Sequence, residues 1–206
     1  MKLGKGSCHG TFGELVQGII GERPFLITLP IPSLRSEAIF IPDPAISEIR
    51  VVNGQLMERF GVLPPFILVG MDLGGTVKTI EYNQVPKVYS RDDHKHFLEA
   101  YDWVKKGFRE NNLAYICKAA TISARVNQKI LPKADFHKLE KLAHTCQGGT
   151  VVAHSGTVAG ILIDRNIPNC HEVVSQLLRE MSIPFKSMNI NLFHYDSEEK
   201  NISLMI

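Results

Sequence analysis

The feature that most constrains the fold is a change of residue pattern at the proline pair Pro64-Pro65. Before this pair, short β-like runs are separated by prolines, which break helices and are excluded from central strands. After it, a buried strand candidate at residues 66–71 is followed by segments with the helical spacing of apolar residues. We therefore predict a domain boundary here, with an N-terminal domain at residues 1–63 and a C-terminal domain at residues 64–206.

The C-terminal part has the clearer local signals. Ser90 and Asp93 have the spacing of a capping box and predict the start of a helix. A second helix is predicted from about Asn112, and Gly148-Gly149 is expected to end a third. The remaining predictions are strands at residues 150–153, 160–163 and 188–193 and a last helix at residues 173–181. The order β-α-α-α-β-β-α-β indicates an α+β fold, with helices packed on one face of an antiparallel sheet.

The N-terminal part is predicted to consist of short strands. They are expected at residues 25–29, 37–41 and 48–52, between the prolines at positions 30, 32, 42 and 44. Asn53-Gly54 is a strong hairpin signal and would lead into another strand at residues 55–60. No internal repeat is visible in the chain.

Composition excludes several classes of function. The 206 residues carry 23 basic and 21 acidic side chains, a net charge of +2 that is too small to indicate a nucleic-acid partner. Apolar runs fall far short of the roughly 20 residues of a membrane span, and no signal sequence is recognisable. The four cysteines are widely spaced, which predicts neither structural zinc nor disulfides and favours a cytoplasmic location.

Glycine is concentrated at the N-terminus, where the first 21 residues contain six of the 16 glycines. Residues 6–18 combine these glycines with small polar side chains and with Glu14 and Gln17. A loop of this kind lets a ligand approach the backbone closely, while the two side chains provide directional hydrogen bonds. The alternative is a tight turn or a bulge in an edge hairpin, and the chemistry of the residues does not decide between the two.

Two further segments have the composition of ligand loops. Residues 153–160, which include His154, form a small-residue stretch between two predicted strands, where backbone N–H groups can surround an anion. An ordinary β-turn explains that stretch slightly better when it is considered alone. Residues 72–76 follow a predicted strand and could equally be a ligand loop or a simple connection.

Four segments together resemble the L-threonine kinase branch, which acts in cobalamin synthesis, of the GHMP small-molecule kinase superfamily. Residues 10–18 are similar to the first motif of that branch and residues 152–160 to the third motif of the superfamily. The segments occur in the order of the family: GTFGELVQG at 10–18, DLGGTVKTIEYN at 72–83, SARVNQKILPK at 123–133 and VAHSGTVAG at 152–160.

This resemblance implies a two-layer GHMP-kinase-like fold with a ferredoxin-like C-terminal half. It implies ATP-dependent phosphorylation, with Mg²⁺, of the hydroxyl of a small amino acid or amino alcohol, with L-threonine as the expected substrate. The substrate-binding residues would be Glu14, Gln17, Asn127, Gln128 and His154, and the nucleotide-binding residues Ser155, Gly156 and Thr157. It assigns no catalytic residue and no metal ligand; a homodimer is left open, and neither nucleic acid nor membrane is expected as a partner.

One departure from the family is large. GHMP kinases carry a middle glycine-rich loop at a helix N-terminus that binds the triphosphate, whereas residues 23–52 here contain no glycine. The join between two family segments falls near residues 49–53. The alternative function is therefore a non-catalytic relative that binds a small molecule or a partner through the same residues.

Overall fold

A computed structural model describes residues 4–21, 23–40, 63–78, 86–185, 188, 190–195 and 203–204. The predicted strands at 48–52 and 55–60 and the Asn53-Gly54 hairpin lie outside these residues. The same is true of the join near residues 49–53 and of residues 79–83 at the end of the second family segment.

The N-terminal residues form a long antiparallel hairpin. Strand β1 (Gly4–Ile20) pairs with strand β2 (Arg23–Phe40), and Gly21, with a φ of 64°, lies in the turn between them. The pairing register shifts at three places in β1, the last of them between Glu14 and Val16. The glycine-rich segment is thus a bulged strand, as in the hairpin alternative, because glycine and small residues tolerate the backbone geometry of bulges.

The C-terminal residues contain a five-stranded antiparallel sheet. Its strands are β3 (Phe66–Asp72), β4 (Gly149–Val152), β5 (Val158–Asp164), β6 (Ile190–Tyr195) and β7 (Ser203–Leu204). Their spatial order is β4-β5-β3-β6-β7. The first four strands, with helices between β3 and β4 and between β5 and β6, have the ferredoxin-like β-α-β-β-α-β arrangement.

Four helices connect the strands of this sheet. They are α1 (Arg91–Arg109), α2 (Leu113–Asn127), α3 (Phe136–Thr145) and α4 (Cys170–Met181). The predicted capping box is present, since the Ser90 hydroxyl accepts from the backbone N–H of Asp93 and the Asp93 carboxylate accepts from that of Ser90. The Asn112 side chain caps α2 in the same way, by accepting from the backbone N–H of Ala114 at 2.9 Å. The four predicted helices are confirmed.

Side chains on the two faces of the sheet belong to two apolar clusters. Phe66 and Leu68 of β3 pack with the hairpin and with α1 and α2, whereas Ile67, Val69 and Met71 pack with α3 and α4. The prediction that the helices pack on one face of the sheet is therefore wrong. Only α3 and α4 cover one face, and α1 and α2 pack with the hairpin on the other, because alternate residues of β3 are apolar on both faces. Because β1 and β2 share a cluster with elements after residue 64, the division into domains at residues 63 and 64 stays a prediction.

Within the described part of the chain, no helix is both long enough and apolar enough to cross a membrane.

Candidate functional site

A bulge in β1 brings Glu14 against the β4–β5 loop. The Glu14 Oε2 atom accepts a hydrogen bond from the backbone N–H of His154 at 2.9 Å, across 140 positions of sequence. Gly13 permits this approach: its φ is +135°, and a Cβ atom there would lie 3.1 Å from the Cα of Ala153. The first and fourth of the family segments, far apart in sequence, therefore meet at Glu14.

Ser123, on α2, connects the same strand to the same loop. Its Oγ accepts from the backbone N–H of Gln17 at 3.0 Å and lies 3.2 Å from the Gln17 carbonyl and 3.0 Å from His154 Nε2. The hydroxyl has one proton, so it donates either to that carbonyl or to the imidazole, and the ring nitrogen takes the complementary role. Gln17 thus enters this network through its backbone.

His154 is almost completely buried, at 6% exposure. Burial, together with the nearby positive charge of Lys133, lowers the pKa of His154 to about 4, so its ring is neutral at neutral pH. Its Nδ1 atom has no hydrogen-bond partner among the described residues and lies 3.8 Å from Glu14 Oε2. A neutral imidazole of this kind can donate or accept one more hydrogen bond.

Lys133 is the buried cation beside this network, with 9% exposure. Its Nζ donates to the carbonyl oxygen of Gly156, in the β4–β5 loop. Its backbone N–H donates to Gln128 Oε1 at 2.7 Å, and the Gln128 amide in turn donates to Ala124 at 2.9 Å. Burial lowers the pKa of Lys133 to about 8, although the negative charge of Glu14 acts in the opposite direction.

The far end of the β4–β5 loop is tied to the end of β3. The backbone N–H of Leu73 donates to the Thr157 carbonyl at 3.1 Å. Hydrogen bonds from the Thr157 side chain and from the backbone N–H of Gly74 lower the pKa of Asp72. The loop is thus held at three points, by Glu14, Lys133 and the Asp72 turn.

The structure places the predicted site residues in three different situations. Glu14, His154 and Gly156 lie in one connected network, and Thr157 is bonded to the turn after β3. Gln128 holds the turn that carries Lys133. Asn127 is buried at the end of α2, and its Nδ2 atom has no partner in the described part of the chain.

The sequence alone does not indicate Ser123 or Lys133 as site residues, and it indicates Asp72 only as the first residue of a possible ligand loop. All three lie inside segments that carried the family resemblance, which was the signal available. Nothing in the local sequence indicates that Lys133 is buried, because the turn after α2 contains both apolar residues and a second lysine, Lys129. The burial of Lys133 results from contact with Gly156, 23 residues further along the chain.

The described residues do not by themselves fit a magnesium-bound triphosphate. They contain no group of three or more His, Cys, Asp or Glu side chains that could hold a metal ion. The β4–β5 loop joins two strands and so lacks the N–H groups and dipole of a helix N-terminus, the usual phosphate site.

In sequence, the chain is similar to two L-threonine kinases. The chain is 33% identical to the L-threonine kinase of Citrobacter freundii over 105 residues, which are 50% of this chain and 36% of that protein. It is also 33% identical to the L-threonine kinase of Salmonella typhimurium over 104 residues, or 50% of this chain and 35% of that protein. The match therefore spans about a third of the length of these relatives. No protein-family profile matches the chain.

In fold, the chain superposes on parts of two solved kinase structures. The L. major mevalonate kinase, solved in complex with R-mevalonate, superposes with a TM-score of 0.51 at 12% identity, covering 70% of this chain and 47% of that one. The homoserine kinase of Cytophaga hutchinsonii gives a TM-score of 0.48 at 14% identity, covering 65% and 43%. The chain is thus similar in sequence to the L-threonine kinases over half of its length, and its fold is GHMP-kinase-like.

Proposed function

We propose that the protein is a small-molecule kinase that transfers a phosphoryl group from ATP, with Mg²⁺, to the hydroxyl of L-threonine. A place in cobalamin synthesis and in the cytoplasm belongs to the same proposal, as the L-threonine kinase resemblance implies. The observation that carries it is the 2.9 Å hydrogen bond between Glu14 and the backbone of His154. This bond joins the two segments that resemble the first and third family motifs.

The network around Glu14 has the chemistry of an acceptor-substrate site. Glu14 uses one carboxylate oxygen for His154 and is still 19% exposed, so it can also bind an ammonium group. His154 is neutral and has one ring nitrogen without a partner in the described part of the chain, so it is suited to a hydroxyl rather than to an anion. Ser123 positions the His154 ring, and Gln128 holds the turn that follows α2. Ser155, Gly156 and Thr157 are proposed to contact phosphate oxygens.

Phosphoryl transfer depends mainly on positioning and charge neutralisation. The described residues do not fit the magnesium-bound triphosphate, and residues 23–52 contain no glycine-rich loop. Losing a single donor to developing charge costs about 10²–10³ in rate. We therefore propose that the 206-residue chain alone has negligible kinase activity and that a middle segment with the phosphate loop restores it.

The experiment is threonine-dependent ADP release with Mg²⁺, on protein of confirmed intact mass. The 206-residue chain is compared with a version that carries the middle segment of the Citrobacter freundii L-threonine kinase between residues 49 and 53. We expect turnover only in the version with the segment. A Glu14→Gln change in that version is the control, and it should abolish most of the turnover at limiting threonine.

A second candidate function is a non-catalytic relative that binds a small molecule. The strand-to-strand position of the β4–β5 loop favours it, because such a loop has no helix dipole to offer a phosphate. This alternative is correct if threonine binds both versions and neither releases ADP. Robust turnover by the 206-residue chain would contradict both the proposal that this chain has negligible kinase activity and the non-catalytic alternative.

A further inference from the structure

Lys133 has no role in the function proposed so far, and its surroundings are unusual for a lysine. Lysine side chains are rarely buried unless they are paired, yet this one is 9% exposed and has no carboxylate within ion-pair distance among the described residues. The other lysine of the same turn, Lys129, is 59% exposed and forms an ion pair with Asp93. A buried ammonium with a single carbonyl partner retains two N–H donors.

Glu14 is the opposite charge in the same network. Lys133 and Glu14 interact electrostatically but are not in contact, and each is fixed to a different backbone group of the β4–β5 loop. Those groups are the N–H of His154 and the carbonyl of Gly156. The three residues from the first group to the second span at most about 11 Å even when fully extended. A negative and a positive side chain are therefore held close to each other with the neutral His154 ring beside them.

One buried polar atom of this network, Nδ1 of His154, also lacks a partner in the described part of the chain. A buried polar atom without a hydrogen bond costs roughly 1–3 kcal/mol, so proteins usually avoid such atoms. The occurrence of this atom beside two separated opposite charges is typical of a site organised for a polar ligand rather than for stability.

We propose that Lys133 is a specificity-determining residue that binds the α-carboxylate of the substrate, while Glu14 binds its α-ammonium group. The site then takes zwitterionic hydroxy-amino acids and discriminates against amino alcohols and amides, which lack the carboxylate. This inference rests on the proposed function, since it names the substrate class of the same site.

The test is equilibrium binding to the 206-residue chain by isothermal titration at pH 6.5, with L-threonine and L-threoninamide as probes. The two ligands differ only in the charge at the carboxyl end, and both α-amino groups are protonated, since their pKa values lie above this pH. We expect the wild-type chain to bind threonine at least about 10-fold more tightly, the effect of a charged hydrogen bond. Lys133→Met should weaken threonine binding by the same factor and leave threoninamide binding within twofold.

Two other variants separate recognition from folding. Lys133→Arg keeps the charge and should keep the preference for threonine. Lys129→Met replaces the exposed lysine of the same turn and should leave the affinities for both ligands within twofold of wild type. A Lys133→Met variant that weakens both ligands equally overturns the proposal, because the lysine would then be structural. So does a wild-type chain that binds both ligands equally or binds neither.

The outcome is independent of the kinase assay. Threonine preference that depends on Lys133, without ADP release by the version carrying the middle segment, would overturn the proposed function and leave this inference standing. ADP release by that version without any preference for threonine over its amide would support the proposed function and overturn this inference.

Discussion

Two charged clusters flank the end of α2, and they differ in how completely their groups are paired. In the first, the Asp93 carboxylate is 3% exposed and accepts hydrogen bonds from the Ser90 N–H at 2.9 Å, the Ser90 hydroxyl at 2.8 Å and Lys129 Nζ. In the second, Glu14 bonds the His154 backbone, whereas His154 Nδ1 has no partner in the described part of the chain.

The pKa values express the same difference. Burial raises the pKa of Asp93, but the hydrogen bonds from Lys129 and Ser90 outweigh burial and lower it to about 2. At the second cluster burial dominates, and it moves both His154 and Lys133 toward their neutral forms. A fully paired cluster stabilises the fold, whereas an incompletely paired cluster has hydrogen-bonding groups that can still bind a ligand.

The largest expected effect is the acid sensitivity caused by His154. Its pKa in the folded state, about 4, is below the ordinary value of 6.5, so the unfolded chain binds the proton more readily. The contribution is fully present above pH 6.5 and is lost as the pH falls toward 4, on the order of 3 kcal/mol in the free energy of unfolding.

Urea unfolding at several pH values measures this effect. The wild-type chain should lose stability steeply between pH 6.5 and 4, and His154→Gln should show a shallower dependence because glutamine does not titrate. The other acidic groups are present in both proteins and cancel in the comparison. Equal pH dependence in the two proteins would show that His154 is not held neutral by burial.

The next effect concerns ligand binding through Glu14. Glu14→Gln keeps an oxygen that can accept from the His154 N–H, so the melting temperature should change little. It removes the charge that binds the ammonium group, which should weaken threonine binding by about 10- to 100-fold, given 1.5–3 kcal/mol for a charged hydrogen bond. Calorimetric titration and thermal melting measure the two quantities. Loss of stability with unchanged affinity would make Glu14 a structural residue.

The smallest expected effect is at the paired cluster, where substitutions should change stability but not threonine affinity. Asp93→Asn keeps the shape but loses the charge that Lys129 and Ser90 bind, and it should cost about 1–2 kcal/mol of stability with unchanged threonine affinity. Lys129→Met should cost less than about 1 kcal/mol, because Lys129 is largely exposed. Denaturant titration ranks the two variants. A change in threonine affinity in either one would remove the distinction between the clusters.

The elements of the C-terminal half could be predicted because their signals are local. Ser90 and Asp93 lie one helical turn apart, and Gly148-Gly149 follows the end of α3, so each boundary is encoded within a few residues. The form of residues 6–18 could not be predicted, since a glycine-rich segment is compatible with a loop or a bulged strand. Pairing with β2 makes it a strand.

The site residues, likewise, could be predicted from local sequence only in part. Glu14 and His154 could be proposed from two motif-like segments, but their direct contact depends on how the hairpin docks against the β4–β5 loop. Lys133 could not be distinguished from Lys129 in sequence, since both are lysines of the same turn after α2. Their difference arises because one side chain packs under Gly156 and the other remains in solvent.

By itself, the sequence determined the α+β class, the order of helices and strands and the segments that carry the L-threonine kinase resemblance. These depend on local periodicity, capping and turn chemistry, which a single stretch of chain contains. Only the tertiary structure decided that Glu14, Ser123, Lys133 and His154 form one network and that two of its groups are held toward neutrality. Burial and charge interactions here depend on neighbours 23 to 140 residues away in sequence, and folding alone brings them together.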